Sequence, residues 1–335
     1  MKKYKQHATS KSGKKTFALN DPSQPLPISV VMPTRNVRQR LEYHLEQNQD
    51  WLPRVEEIII VDSHSIDGSL DYLRKHLNHP KIRFLQHPPG LWESWNYGIC
   101  QAHNPYTYIS TIGDTITLDG LTHLYETIET LQTDVIISPP QFERENDLLK
   151  KIERWPIHNL LESLGIQQPT HIPPVKLYPH AIFHLERSLL GSSASNLYRT
   201  TTLKKYPFPT DYGPAGDSAW VLTYNYHVSL AFTSRRTSTF LVHGKAHSVK
   251  GWAQMRLIAK MLDLAQTTLE RSSQDASCTQ RLMDLQHQRF HYIRKRNYYR
   301  HRLSPLRFQL SPRVSLCRKK IRYIKNRMAQ ILAMS

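Results

Sequence analysis

At 335 residues the chain is long enough for one large α/β domain with an appendage. Its three cysteines, Cys100, Cys278 and Cys317, suggest neither a disulfide framework nor a zinc site by number or spacing. The formal net charge of +18 comes from the ends: six lysines fall in residues 1–27, and fourteen Lys and Arg with no Asp or Glu lie between Arg289 and Arg327. The body between them is close to charge balance, which argues against a nucleic-acid-binding core and assigns the excess to tails that suit a polyanion or an anionic membrane surface.

Residues 1–27, rich in Lys, Ser and Pro, are expected to be a disordered basic arm. No apolar run has the form of a secretory leader or approaches the ~18 residues of a membrane span, so the expected compartment is the reducing cytoplasm. Ordered structure is expected from residue 28. A strand over Ile28–Met32 precedes a helix over Arg38–Gln47, which carries Leu41 and Leu45 four residues apart. A second strand, Ile58–Val61, leads to a helix over Ser65–Leu77 with Leu70, Leu73 and Leu77 on one face. Then come a strand at Ile82–Leu85, the turn Pro88-Pro89-Gly90, a helix over Leu91–Ala102, and a strand over Tyr106–Ile112 that ends at Gly113-Asp114. A helix over Leu118–Leu131 and a strand over Val135–Ser138 continue the alternation. Residues 140–190, broken by six prolines, are expected to form an irregular insert on the acceptor side.

The apolar runs are short, β-branched and unalternated, as suits strands buried on both faces of a parallel sheet with helices above and below. Polar residues stand where those strands end, the edge at which open α/β sheets bind ligands. Asp62, closing Ile58-Ile59-Ile60-Val61-Asp62, is thereby placed to accept hydrogen bonds from a ribose or a base. No Gly-x-Gly-x-x-Gly follows the first strand, which excludes a dinucleotide-binding dehydrogenase.

Four segments in order carry a resemblance: Pro33-Thr34-Arg35-Asn36; Val61-Asp62-Ser63-His64-Ser65-Ile66-Asp67-Gly68-Ser69; Gly90-Leu91-Trp92-Glu93-Ser94-Trp95-Asn96-Tyr97-Gly98-Ile99; and Thr111-Ile112-Gly113-Asp114-Thr115. Together with Asn196-Leu197-Tyr198-Arg199 and Gly213-Pro214-Ala215-Gly216-Asp217-Ser218-Ala219-Trp220, this set resembles the family 2 glycosyltransferases of GT-A fold, especially bacterial cell-surface polysaccharide enzymes of the colanic-acid type, from residue 28 to about residue 248. The resemblance implies a Rossmann-like, mainly parallel sheet with helices on both faces, in a catalytic domain over 28–250. Its nucleotide-binding half would be 28–138 and its acceptor half 139–250, followed by a basic helical extension over 251–335. The implied reaction is inverting transfer from a nucleotide-diphosphate sugar to a cell-surface polysaccharide or lipid-linked oligosaccharide.

Carried over residue by residue, Asp217 matches the catalytic base, and Pro33, Thr34, Asn36, Asp62, Asn96 and Arg199 match substrate-binding positions. Asp114, with His243 as a weaker companion, matches the position that holds Mg²⁺ or Mn²⁺ against the diphosphate. The pattern is incomplete there, because Thr111 and Gly113 stand where further carboxylates are expected, and Arg199, Arg235 or Arg236 are candidates to supply charge instead. Asp217 also suits a helix N-cap, Asn96 a helix residue bonded to neighbours, and Trp92 with Trp95 a core stripe rather than a sugar platform. His64 either narrows the base pocket or faces solvent. The aromatic and cationic tail suits peripheral attachment to the cytoplasmic leaflet or, equally, a helical hairpin packed on the catalytic domain. Two other functions stand beside transfer: a non-catalytic nucleotide- or glycan-binding homologue, and a nucleic-acid binder acting through the tails.

Overall fold

The computed structural model describes residues 24–146, 154–185, 187–243, 251–272 and 277–334. The expected disordered arm falls almost wholly outside the described residues. The first half alternates strands and helices as the hydrophobic runs dictate: β1 (Leu26–Thr34), α1 (Arg38–Gln47), β2 (Val55–Asp62), α2 (Ser69–His76), β3 (Ile82–Gln86), α3 (Leu91–Cys100), β4 (Tyr106–Ile109), β5 (Thr115–Ile116), α4 (Leu118–Leu131) and β6 (Val135–Ile137). The run expected as one strand over Tyr106–Ile112 divides. β4 stops at Ile109, and β5 joins a separate small sheet after a turn in which Gly113 takes φ of +104°. α2 starts four residues later than its periodicity suggests, because Gly68 adopts φ of +81° and the Asp67 carboxylate accepts from the Ser69 N–H at 3.0 Å.

Residues 140–190 are more regular than expected. They hold β7 (Gln141–Arg144), α5 (Pro156–Ser163), β8 (Thr170–His171) and α6 (Pro174–Phe183). Prolines sit at the first positions of α5 and α6, where a missing N–H costs no helical bond. Then follow β9 (Asn196–Arg199), α7 (Thr200–Lys205), α8 (Gly216–Tyr224), β10 (Leu230–Phe232), β11 (Ser238–Val242), α9 (Gly251–Arg271), α10 (Ser277–Arg302), α11 (Pro305–Leu310) and α12 (Pro312–Met334).

The main sheet has eight strands in the order β3-β2-β1-β4-β9-β6-β10-β8, and β5-β11-β7 form a second sheet of three. In the main sheet β9 runs antiparallel between β4 and β6 and β8 antiparallel to β10, while the other pairs are parallel; in the second sheet β11 runs antiparallel to β5 and parallel to β7. Six strand ends, Thr34, Asp62 and Gln86 among them, therefore share one edge.

Side-chain alternation along β1 and β2 divides the core. Val30, Met32, Ile58 and Ile60 face a cluster with Leu41, Leu73 and Leu124 from α1, α2 and α4. Val31, Ile59 and Val61 face the opposite cluster, where Trp92, Trp95 and Ile99 of α3 meet Trp220 of α8. α3 lies so close to the sheet that a Cβ at Gly98 would stand 2.5 Å from Val31 Cγ1. The C-terminal helices belong to this second cluster through Leu282, Ile293, Ile324 and Met328, and Gln286 donates to the Ile182 carbonyl of α6. These C-terminal helices are thus packed on the α/β body. At ~1.5–3 kcal/mol for each buried large aliphatic side chain, those four alone contribute several kcal/mol. Among the described residues no helix is long and apolar enough to cross a membrane.

Candidate active site

The loops after β1 and β2 are sewn together at the shared edge. Thr34 Oγ1 donates to Asp62 Oδ1 at 3.2 Å, and the Ser65 N–H donates to Asp62 Oδ2 at 3.0 Å. Asn36, at φ of +50°, accepts the Ile66 N–H on Oδ1 at 2.9 Å, and its own N–H donates to Ser65 Oγ at 3.0 Å. Asp67 accepts the Arg38 N–H at 3.0 Å, bringing the start of α1 against the start of α2. Asp62 is 1% exposed with both oxygens engaged, so it holds the loop and offers a ligand only its remaining lone pairs. Pro33 is half-buried beside it, and His64 is exposed at φ of +54°.

α3 links this loop to the segment bearing Asp217. Ser94 Oγ and Ser63 Oγ are 2.8 Å apart, next to Asp62, while Trp92 Nε1 donates to the Gly213 carbonyl. Asn96 clamps the approach to α8: Nδ2 donates to the Phe208 carbonyl at 2.8 Å, and Oδ1 accepts the Phe208 N–H at 3.0 Å. Its amide is therefore engaged with the Phe208 backbone. Trp92 and Trp95 meet edge to face at 4.7 Å and are buried, the core stripe anticipated for them. A Cβ at Gly216 would lie 2.5 Å from Trp92 Nε1, so glycine lets this turn close on the indole.

Asp217 is half-buried in the first turn of α8, where Oδ1 accepts the Ser218 N–H at 2.7 Å. Burial pushes its carboxyl up to about 6, against the lowering effect of hydrogen bonds from Ser218 and the Ser188 side chain. Near neutral pH it is ionised and still basic.

Asp114 sits between the two sheets. Ser192 Oγ donates to Oδ2 at 2.7 Å and the Leu241 N–H donates to Oδ1 at 3.1 Å. Burial pushes this carboxyl up to about 7 in spite of both bonds. Its turn is anchored by His44, whose Nδ1 accepts the Gly113 N–H at 3.3 Å while Nε2 lies 3.0 Å from Ser110 Oγ. Burial holds His44 neutral, down at about 4. His243 lies just past the end of β11, two residues beyond Leu241.

Among the described residues no group of three or more His, Cys, Asp or Glu converges on a metal position. The donor chemistry still fits one divalent cation at Asp114. The buried carboxylate has spare lone pairs and, among the described residues, no cationic side chain bonded to it, and Mg²⁺ accepts one or two carboxylates when phosphates and waters complete its shell. Thr111, in place of a further acid, is 2.6 Å from Ser193 Oγ.

Arg199 lies elsewhere on the sheet. β9 runs antiparallel, so Arg199 pairs with Tyr106 at the start of β4, the edge opposite Thr34 and Asp62. There its Nε donates to the Thr133 carbonyl at 2.9 Å. Arg235 is ion-paired with Asp119 and exposed. Ser188 and Ser192 were not singled out from the sequence. The run Gly191-Ser192-Ser193-Ala194-Ser195 was the available signal, with Gly191 at φ of +64° turning the chain toward Asp114.

Residues 29–186 match the family described as Glycosyl transferase family 2. That segment is a family 2 glycosyltransferase domain. The glycosyltransferase is similar in structure to residues 1–349 of S. aureus TarS in complex with UDP-GlcNAc, at 17% identity over 90% of this chain and 91% of that chain, with a TM-score of 0.53. The same fragment in complex with UDP gives 18% identity, the same coverage and a TM-score of 0.50. These likenesses establish a shared, GT-A-like fold: a large, mostly parallel sheet between helices, with a helical C-terminal region. No curated protein sequence matches the chain.

Proposed function

We propose that this nucleotide-sugar-dependent glycosyltransferase inverts the anomeric centre, with Asp217 as base, and glycosylates a cell-surface polysaccharide or lipid-linked oligosaccharide. The observation that carries the reading is Asp217 itself, a carboxylate raised to about 6 at a helix start and joined through Trp92 and α3 to the strand-end loop of Asp62. The acceptor hydroxyl gives its proton to Asp217 as its oxygen bonds to the anomeric carbon. The bond from that carbon to the nucleoside diphosphate breaks, and the diphosphate leaves with the electron pair. Thr34, Asn36 and Asp62 shape the nucleotide end. Asp114, with His243 close in sequence to its Leu241 partner, would hold a Mg²⁺ or Mn²⁺ ion. When bound, such an ion supplies positive charge to the leaving diphosphate.

A UDP-sugar is the donor favoured by the fold shared with the UDP and UDP-GlcNAc complexes of TarS. The test is calorimetric binding of UDP, GDP, dTDP and CMP with Mg²⁺, Mn²⁺ or EDTA. Binding selective for UDP and weakened by EDTA supports the reading; preference for another nucleotide removes the donor class, and metal-independent binding removes the ion.

Peripheral attachment at the cytoplasmic face of a membrane completes the proposal. On α11, Leu306 and Leu310 are 66% and 72% exposed beside Arg307. Co-sedimentation with anionic vesicles should fall in the Leu306→Ser/Leu310→Ser variant, and equal binding would sink this part.

A further inference from the structure

A cavity of about 270 Å³ lies between the segment that follows β7 and the C-terminal helices, outside the strand-edge site. Arg154, Arg187, Arg289 and Lys325 line it together with His184, and no Asp or Glu does so among the described residues. Trp155, Phe183 and Met328 add apolar wall. Cations brought together in a concave, partly apolar space repel one another, and the field focused there attracts an anion. His184 feels that field, since burial first and then the charges of His180, Lys325, Arg187 and Arg289 hold its imidazole down at about 4. It is neutral at physiological pH, leaving Arg and Lys to supply the charge.

The cations are mounted on different elements. Lys325 is on α12, and Arg289 is on α10 where its guanidinium donates to Gln286 at 3.2 Å. Arg154 precedes α5 and is paired with Glu162. Arg187 has the closest relation to the chemistry: the side chain of the next residue, Ser188, favours the charged form of Asp217. Consecutive Cα atoms are ~3.8 Å apart, so the cavity wall and the support of the candidate base are one stretch of backbone. The basic C-terminal run contributes Arg289 and Lys325 to this same space.

We propose that this cavity is a phosphate-binding site, and that it holds a phosphate group of the acceptor while the acceptor's hydroxyl is presented toward Asp217. Guanidinium and ammonium groups that meet no lining carboxylate among the described residues suit a phosphate mono- or diester, and the volume suits one such group rather than a nucleotide sugar. The acceptor role rests on the function proposed above; the phosphate site does not.

Two sources carry this chemistry, a water-soluble polyol phosphate and an isoprenoid-linked phosphate. The experiment is calorimetric titration of the full chain with glycerol 3-phosphate and with farnesyl phosphate, on wild type and on the Arg187→Ala/Lys325→Ala variant. Both substituted side chains are exposed, so the variant is expected to fold, and thermal unfolding checks that. UDP is titrated in parallel as a report on the donor site. The expected result is about tenfold or greater loss of phosphate-ester affinity in the variant with UDP affinity unchanged. Stronger wild-type binding of one ester names the source, and equal binding means that the site reads the phosphate alone. Wild type that binds neither ester, or a variant that binds them as well as wild type does, overturns the proposal. Absence of UDP binding to wild type counts against the donor reading and leaves the phosphate result to be judged on its own.

Discussion

Ser192 holds Asp114 through a 2.7 Å hydrogen bond, and the same short segment reaches Asp217 through Ser188. Ser192→Ala removes a bond that favours the charged form, so the Asp114 carboxyl should rise above about 7. A hydrogen bond to a charged group is worth ~1.5–3 kcal/mol, or about one to two pH units. The checking measurement is the pH dependence of Mg²⁺-assisted nucleotide binding, whose rising limb should move to higher pH in the variant.

Asp114 also bears on stability. Its pKa is raised on folding from the ordinary carboxylate range to about 7, so the folded chain binds more protons than the unfolded chain between about pH 4 and 7. The stabilising contribution is fully present below about 4 and is lost as pH rises through about 7. Asp114→Asn, which cannot ionise, should therefore gain roughly 4 kcal/mol relative to wild type at pH 8 and little at pH 4, read by metal-free denaturation at both values.

Asp217, at about 6, sets the acid limb of the rate. Plotted against pH, kcat/KM should rise to a plateau with an apparent pKa near that value, because only the ionised carboxylate takes the acceptor proton. Asp217→Asn should lower kcat by roughly 10²–10⁴ and remove the limb while leaving nucleotide binding in place. Retention of the limb in that variant would reassign the base.

Asn96→Ala leaves the Phe208 N–H and carbonyl without their amide partner. A loss of ~1–3 kcal/mol is expected, measurable as a fall in Tm. Donor affinity should change little, since the amide faces the Phe208 backbone rather than the Asp62 loop.

Arg199→Ala should leave nucleotide affinity unchanged, because its guanidinium bonds the Thr133 carbonyl at the opposite sheet edge. A tenfold weakening of nucleotide binding would return Arg199 to the donor site.

The first half of the fold was legible because each buried strand is written as a continuous apolar run. Arg38–Gln47 and Leu118–Leu131 were placed to the residue by their periodicity. Asp62, Asp114 and Asp217 stood out because acids at strand or helix ends interrupt apolar sequence. What could not be read depends on pairing across distance. The direction of β9 decides that Arg199 faces away from the ligand edge, and nothing within Asn196-Leu197-Tyr198-Arg199 encodes direction. Asn96 resembles a binding residue until Phe208, 112 positions later, is brought against it. The serines of 188–193 belong to no hydrophobic period, and their partners come from other elements.

The cationic C-terminal helices, packed on a body near neutrality, give the molecule a permanent electrical moment. In the field of any extended negatively charged object it experiences a torque before contact, turning α10–α12 toward that object. Orientation would then precede recognition, shortening the angular search and making arrival slower at high ionic strength, where the ~8–10 Å screening length of physiological salt shrinks further.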